Sequence, residues 1–397
     1  MKRRIATVLV LVSSVSACSG GGSEIVARHR RDARAATPAA AVARADNIAA
    51  TRLTRVSSTR LAGVAGGMES DADGTVVAVG GNSVVALDRS GAQRWSAPVA
   101  HADEGWPVLG GDLVVVPTYS AREARGGCVA LDRSTGERRW SYEEPAASGA
   151  AAAIAGDAVI CGLANGVVVA IDETTGKRRW RSDLRELSPD AELIPRTAFA
   201  VDDATGSLTV TVMNVGLVLI DIRDLATGKD RGYFDDSKYG TASAPVRTAP
   251  GFLAVGVSER GKLCEIDLRT QQYPICATTA ASEGFSPSNV PLFVDGLVLL
   301  PATDGTVSAF DIRTHSMRWA RRAPLPIVAT RLASVAGVVM FIDWGQSPWA
   351  VRVADGKALD LPDINGAVDS IAADADGGFL LAESDKHGAW IERWAPA

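Results

Sequence analysis

The chain has 397 residues, 47% of them hydrophobic and 22% charged, so it can bury a substantial core. With 41 Lys and Arg against 46 Asp and Glu, its formal net charge of −5 offers no broad positive surface and excludes nucleic acid as a partner. Four scattered histidines, His29, His101, His315 and His387, include no pair at metal-ligand spacing, so no zinc or copper site is expected.

Met1-Lys-Arg-Arg4 is basic, and Ile5 to Val12 is an apolar run too short to cross a bilayer as a helix. Residues 1–17 therefore read as a signal peptide. Val15-Ser-Ala-Cys18 resembles the bacterial lipobox, in which a small residue precedes the cysteine that receives lipid. That resemblance implies cleavage before Cys18, acylation there, and a protein anchored to the extracytoplasmic face of the cell membrane. Residues 18–50 read as a tether. Ser19-Gly-Gly-Gly-Ser23 is a flexible spacer, and an Ala/Arg-rich stretch with Arg28, Arg30, Arg31, Arg34 and Arg44 follows without a sustained apolar face. Those arginines either lie along anionic headgroups or are simply solvated. Losing the three basic residues of the leader takes the net charge from −5 to −8. Residues 24–60 hold eight Arg against Glu24, Asp32 and Asp46, which leaves −13 from Leu61 onward. An acidic globe on a basic leash stays soluble and off an anionic membrane.

The globular part spans residues 51–397. Past Leu61 a unit recurs: Asp88 with Trp95, Asp132 with Gly136 and Trp140, Asp172 with Gly176 and Trp180, Asp311 with Trp319. Two copies are nearly identical, Ala130-Leu-Asp132-Arg-Ser-Thr135-Gly136-Glu-Arg-Arg-Trp140 and Ala170-Ile-Asp172-Glu-Thr-Thr175-Gly176-Lys-Arg-Arg-Trp180. Each reads as an alternating apolar strand ending at Asp, a Thr-Gly reversal and a second strand leading to Trp. Gly supplies positive φ, and Asp or Thr bonds the free amides of the turn. A Trp at a fixed offset is expected to wedge against the neighbouring unit, with its indole N–H on that neighbour's backbone. Degenerate copies end at Asp221, Asp267, about Val353 and about Glu392. Thr227-Gly228 comes three residues late after Asp221, as if the turn carried an insertion, and Ile275 stands where blade five should have its Trp. The spacing of ~40–45 residues with four short strands per unit predicts an all-β fold, a single β-propeller. Eight markers give eight four-stranded blades, with seven as the alternative. Thr51 to Ser58 alternates polar and apolar, and is expected to close the ring as the outer strand of the last blade.

The repeat Ala-x-Asp-x-x-Thr-Gly-x-x-x-Trp resembles the tryptophan-docking repeat of propellers named after pyrroloquinoline quinone (PQQ). That family takes in quinoprotein alcohol dehydrogenases and the bacterial envelope lipoprotein BamB, and the resemblance covers roughly Leu61 to Ala397. It is specific for the fold and weak for function, because the motif is a packing device.

Cys18 apart, four cysteines remain, which in an oxidising compartment points to disulfides. Cys264 and Cys276 flank the turn after Asp267 and are expected to face each other across a hairpin. Cys128 and Cys161, in adjacent blades, either form a second bridge or stay as two buried thiols. No adjacent cysteine pair of the kind quinoprotein alcohol dehydrogenases typically carry is present, so PQQ has no binding signature here. Asp71-Ala-Asp73-Gly74 and Asp374-Ala-Asp376-Gly377 begin like calcium loops, lack the remaining ligands, and read as turns. No metal, catalytic elbow or phosphate loop is expected. Trp106, Tyr239, Phe285, Trp344 and Trp349 fall in or beside loops assigned mainly to one face, and together mark a candidate binding face, although any one of them can instead plug a gap between blades. The expected function is a non-enzymatic, lipid-anchored module that binds an envelope protein. The alternative is a quinoprotein-like dehydrogenase, or a binder of a small ligand such as a sugar or cofactor at the channel mouth.

Overall fold

The computed structural model describes residues 53–396 except 62–64, 103–104, 121–124, 146–148, 164, 187–191, 194–198, 215–216, 236–242, 258–260, 282–284, 286–288, 328–331, 362–363, 365–366, 376 and 386–387. The lipidation candidate Cys18 and the whole tether lie outside these residues. Eight antiparallel sheets follow one another along the chain, and each is a blade. Strand β1 (Leu53–Leu61) precedes them. Blade one is β2 (Ala65–Ser70), β3 (Val76–Gly80), β4 (Ser83–Leu87) and β5 (Gln93–Pro98). Blade two is β6 (Val108–Gly110), β7 (Leu113–Ser120), β8 (Arg125–Asp132) and β9 (Arg138–Pro145). Blade three is β10 (Gly149–Ala155), β11 (Ala158–Leu163), β12 (Val167–Asp172) and β13 (Arg178–Asp183). Blade four is β14 (Glu192–Leu193), β15 (Ala200–Asp202), β16 (Ser207–Asn214), β17 (Leu217–Asp224) and β18 (Asp230–Asp235). Blade five is β19 (Val246–Ala249), β20 (Phe252–Val257), β21 (Lys262–Asp267) and β22 (Gln272–Thr278). Blade six is β23 (Leu292–Val294), β24 (Leu297–Pro301), β25 (Thr306–Asp311) and β26 (Ser316–Arg322). Blade seven is β27 (Ala333–Val335), β28 (Val338–Ile342), β29 (Pro348–Arg352) and β30 (Ala358–Leu359). Blade eight is β31 (Ala367–Ala373), β32 (Phe379–Asp385) and β33 (Gly388–Pro396), with β1 as its fourth strand.

First strands of neighbouring blades touch, β2 with β6 and β31, β15 with β19, β19 with β23, so they circle the central axis. Second and third strands are sandwiched between blades and buried on both faces, which is why β3, β11, β20 and β28 read as unbroken apolar runs. Outer strands keep one face in water and alternate, as in β5 and β13, with the Trp on the buried side. β1 pairs with β33 from Leu53 opposite Pro396 to Leu61 opposite Ala389, so this early strand completes the last blade and covers the edge of β33.

Indole and turn interlock from blade to blade. The Trp95 Nε1 donates to the Arg133 carbonyl at 2.9 Å, Trp140 to Glu173 at 2.8 Å, Trp180 to Leu225 at 3.0 Å and Trp319 to Val353 at 2.7 Å. Each acceptor follows the first residue of the next blade's turn. The turn's Gly lies under the indole: a Cβ on Gly176 would sit 2.6 Å from Trp140, and one on Gly228 2.5 Å from Trp180. This corrects the register of blade four. Its turn starts at Asp224, whose Oδ1 accepts from Thr227 N and Oγ1 and whose carbonyl accepts from Gly228 N, so there is no insertion. Asp221 instead lies inside β17 in a buried ion pair with Arg223, Nε to Oδ2 at 2.5 Å. Blade four also departs from four strands, because β14 and β15 pair with different stretches of the eight-residue β16.

Both disulfides are present. Cys264–Cys276 links residues directly opposite each other on β21 and β22, and Cys128–Cys161 ties blade two to blade three. Asp71 bonds the amides of Asp73 and Thr75 at 2.8 and 3.0 Å, ordinary turn chemistry ahead of β3.

Candidate binding face

Antiparallel strand order puts the turns between second and third strands, and the connections between blades, on one face. The Asp-Thr-Gly turns lie on the other. The first is the loop face, and its feature of most consequence sits at blades six and seven. Asp343 organises the turn after β28: its Oδ1 accepts from Gly345 N at 2.9 Å and Ser347 N at 3.1 Å, and its Oδ2 accepts from Trp349 Nε1 at 2.9 Å. Trp344 N donates to the Pro326 carbonyl at 2.7 Å, and an Ile327–Asp343 bridge aligns the incoming connection. Gln346 ties the turn to blade eight, Nε2 to Asp369 Oδ1 at 2.9 Å, and its carbonyl accepts from Val368 N at 3.0 Å. The turn is thereby fixed while its tip points outward: Trp344 is 74% exposed and Leu325 beside it 44%. Pro324 and Pro326, also exposed, flank Leu325. A large indole on a hydrogen-bonded turn beside a second apolar side chain loses little entropy on contact with a partner.

The other aromatics divide differently. Trp106 is buried, packed so closely on β2 that a Cβ on Gly67 would lie 2.7 Å from its Cα. Phe285 is buried with Val298 and Leu300 between blades five and six. These two serve the packing and are corrected out of the contact surface, because a side chain wedged between blades has no area left for a partner. Trp349 is half-buried and holds Asp343, whereas Tyr239 lies outside the described residues. Leu325 went unread in the sequence, although Pro-Leu-Pro between two blades is a signal for an exposed, stiff apolar step.

On the opposite face an open cleft of about 720 Å³ lies over blades one and two, lined among others by Asp73, Arg89, Arg94, Asp132, Arg133 and Arg139. Its charges are largely paired. Arg133 bridges Asp71 and Asp73, and Arg139 holds Asp132. Hydrogen bonds from Ser134 and Arg139 hold the Asp132 carboxyl well below the usual range, and the Ser90 hydroxyl lowers Asp88. Such groups stay ionised and make poor proton donors or acceptors near neutrality. Among the described residues no three His, Cys, Asp or Glu side chains stand where they could hold a metal ion. A second hollow, about 20 Å³ between blades five and six, marks the seam whose tryptophan is missing, with Glu265 and His315 at its edge.

A family model described as outer membrane protein assembly factor BamB matches residues 38–274. The chain belongs to that family. No curated protein matches it in sequence. Among solved structures, BamB from Moraxella catarrhalis is similar over 86% of this chain and 97% of its own, at 19% identity and a TM-score of 0.64. The computationally designed protein Ika8 is similar over 87% of this chain and all of its own, at 15% identity and a TM-score of 0.66. Quinohemoprotein alcohol dehydrogenase ADHIIG from Pseudomonas putida HK5 is similar over 87% of this chain and 76% of its own, at 14% identity and a TM-score of 0.63. Likeness at such identities is likeness of fold, which an assembly factor, a design and an enzyme share.

Proposed function

We propose that this BamB-family propeller is a non-enzymatic scaffold of the cell envelope, anchored through lipid on Cys18 and binding a protein partner with its loop face. One observation carries the reading: Trp344, beside Leu325, is largely exposed on a turn that is hydrogen-bonded at both ends. Family membership supports an envelope setting and a part in assembling envelope proteins. In the larger cleft Asp132 is paired with Arg139 and held below the usual carboxylate range, which supports a role other than acid–base chemistry there. The test is site-specific photo-crosslinking from the neighbouring exposed position 324 in native membranes, alongside Trp344→Ala and Leu325→Asp. A discrete envelope protein should crosslink, and both substitutions should remove it without lowering the melting temperature. Undiminished recovery of the same partner in both variants would refute the assignment of the face. Cys18→Ala should move the protein from the membrane to the soluble fraction, and retention at the membrane would remove the anchor from the proposal. Similarity to a quinohemoprotein dehydrogenase favours a second reading, a cofactor-binding propeller. Saturable binding of PQQ with calcium to the propeller would establish it.

A further inference from the structure

The blade that closes the ring also buries two like charges. Glu383 on β32 lies opposite Trp390, and Glu392 on β33 lies opposite Leu381, so the two are diagonal neighbours on one face of the sheet. That face packs on blade seven, sharing a core with Phe379, Leu381 and Trp394. Only 7% of Glu383 and 6% of Glu392 reach solvent. Glu392 is well provided for, since its Oε1 accepts from Arg55 Nη1 of β1 at 2.7 Å and its Oε2 from Trp394 Nε1 at 3.1 Å. Glu383 is not: its Oε1 is buried with no hydrogen-bond partner among the described residues.

The surrounding groups offer little relief. On β1, Arg55 is already engaged and its side chain is 57% exposed, while Arg60 lies opposite Trp390 and packs at Gly388. β31 places Val368 opposite Glu383, and the adjacent Asp369 accepts from Gln346 of the blade-seven turn. That turn's own carboxylate, Asp343, accepts from Trp349. Asp385 lies two residues further along β32. Two carboxyl groups are therefore buried side by side, and the ion pair from Arg55 of β1 is made to Glu392 rather than to Glu383. Ionising both at this depth is costly, and a single proton held between them removes the repulsion.

We propose that Glu383 and Glu392 hold one proton between them, and that this proton is a pH-sensitive latch on the closing blade: tight while it is bound, loosened when it leaves to solvent. Burial first, and then the charge and hydrogen bond of Glu392, push the Glu383 pKa up to about 7, against a pull from Arg55. The folded protein thus keeps a proton that the unfolded chain has already released. The latch's contribution is full below the ordinary glutamate range and is lost as pH rises through about 7. Because Glu392 also holds Arg55, the loss is felt on β1, the strand that joins the two ends of the chain.

Hydrogen exchange of the intact protein between about pH 5.5 and 8.5, corrected for intrinsic chemistry, tests this. From pH 5.5 to about 7 the β1 and β33 amides should gain about tenfold in exchange per pH unit relative to blade three, and the gain should level off above about 7, where the folded protein no longer holds the proton. Glu383→Gln, uncharged and still able to donate to Glu392, should abolish that gain. An equal pH slope in wild type and variant, or no gain in the wild type, overturns the latch. If Glu383→Gln does not fold, carbon NMR titration of the unaltered chain decides. A glutamate carboxyl titrating near 7 supports the shared proton, and every glutamate titrating in the ordinary range overturns it.

Discussion

Trp180 shows how one side chain joins two blades. Its ring fills the core between blades three and four, its N–H satisfies the Leu225 carbonyl, and its face covers Gly228. Trp180→Ala should therefore cost about 3–5 kcal/mol in denaturant unfolding, and a loss under about 1 kcal/mol would show that the indole is not a wedge. The glycine is as constrained as the indole. Gly176 has φ of +68° and lies under Trp140, so Gly176→Ala meets a backbone penalty of about 1–2 kcal/mol and a contact with nowhere to go. A stability loss confined to the backbone penalty would mean that the indole yields. In blades four and five, where the tryptophan is missing, the glycine of the next turn is missing too. Gly232 stands at the indole position of blade four, and the next turn carries Gln271, at φ +55°, whose amide donates to the Arg231 carbonyl. After Ile275, the following turn carries His315 at φ +51°. This pairing is written in the sequence, but the two members lie in successive repeats. The four indoles reach acceptors 33 to 45 residues further on, so inspecting each copy by itself hides the coupling.

Blades were legible at the level of elements because their second and third strands are buried on both faces and their turns need Asp, Thr and Gly in order. Closure was legible for a similar reason, since a last blade with three strands demands a fourth. Blade four was misread because Leu219-Ile-Asp221 imitates the end of a strand. In the fold the strand runs three residues on to Asp224, and Asp221 survives in the interior only by pairing with Arg223. Polar residues of that kind break a pattern based on burial, and nothing local announces their partners. The aromatic face was misjudged for a related reason: a Trp or Phe in a loop looks the same in sequence whether it plugs a seam, as Trp106 does, or stands in water, as Trp344 does. Closure itself makes a test. A chain beginning at Thr51 should fold and remain monomeric, whereas one beginning at Gly63 lacks β1, leaves the β33 edge unpaired and should self-associate. Light scattering on both forms checks this, and a monomeric, equally stable shorter chain would show that β1 is dispensable.

The carboxylates of the whole molecule divide by depth, and their division sets how the fold responds to pH. At the surface, the turn and strand-end aspartates are held down by donors. Arg179 lowers Asp172, the Thr227 hydroxyl lowers Asp224, and Arg185 brings Asp183 to about 2. Their folded values lie below the unfolded one of 3.8, so their contribution is present above that pH and is lost as pH falls toward about 2. Exposure makes each such term small, and their recurrence from blade to blade makes them count together. Inside, burial acts in the opposite sense: it raises Asp221 to about 6 despite Arg223, and Glu383 to about 7. Those groups favour the protonated folded state, and their contribution declines as pH rises from about 4 to about 7. Stability should therefore peak on the mildly acidic side, between the loss of the surface aspartate bonds and the ionisation of the buried carboxyls. Melting temperatures across about pH 3 to 8 should trace a dome with its maximum near pH 4–5, and the alkaline limb should flatten in Glu383→Gln. A profile that rises steadily to pH 8 would mean that Asp221 and Glu383 ionise freely in the folded protein, and that the seams holding them are wetter than their burial indicates.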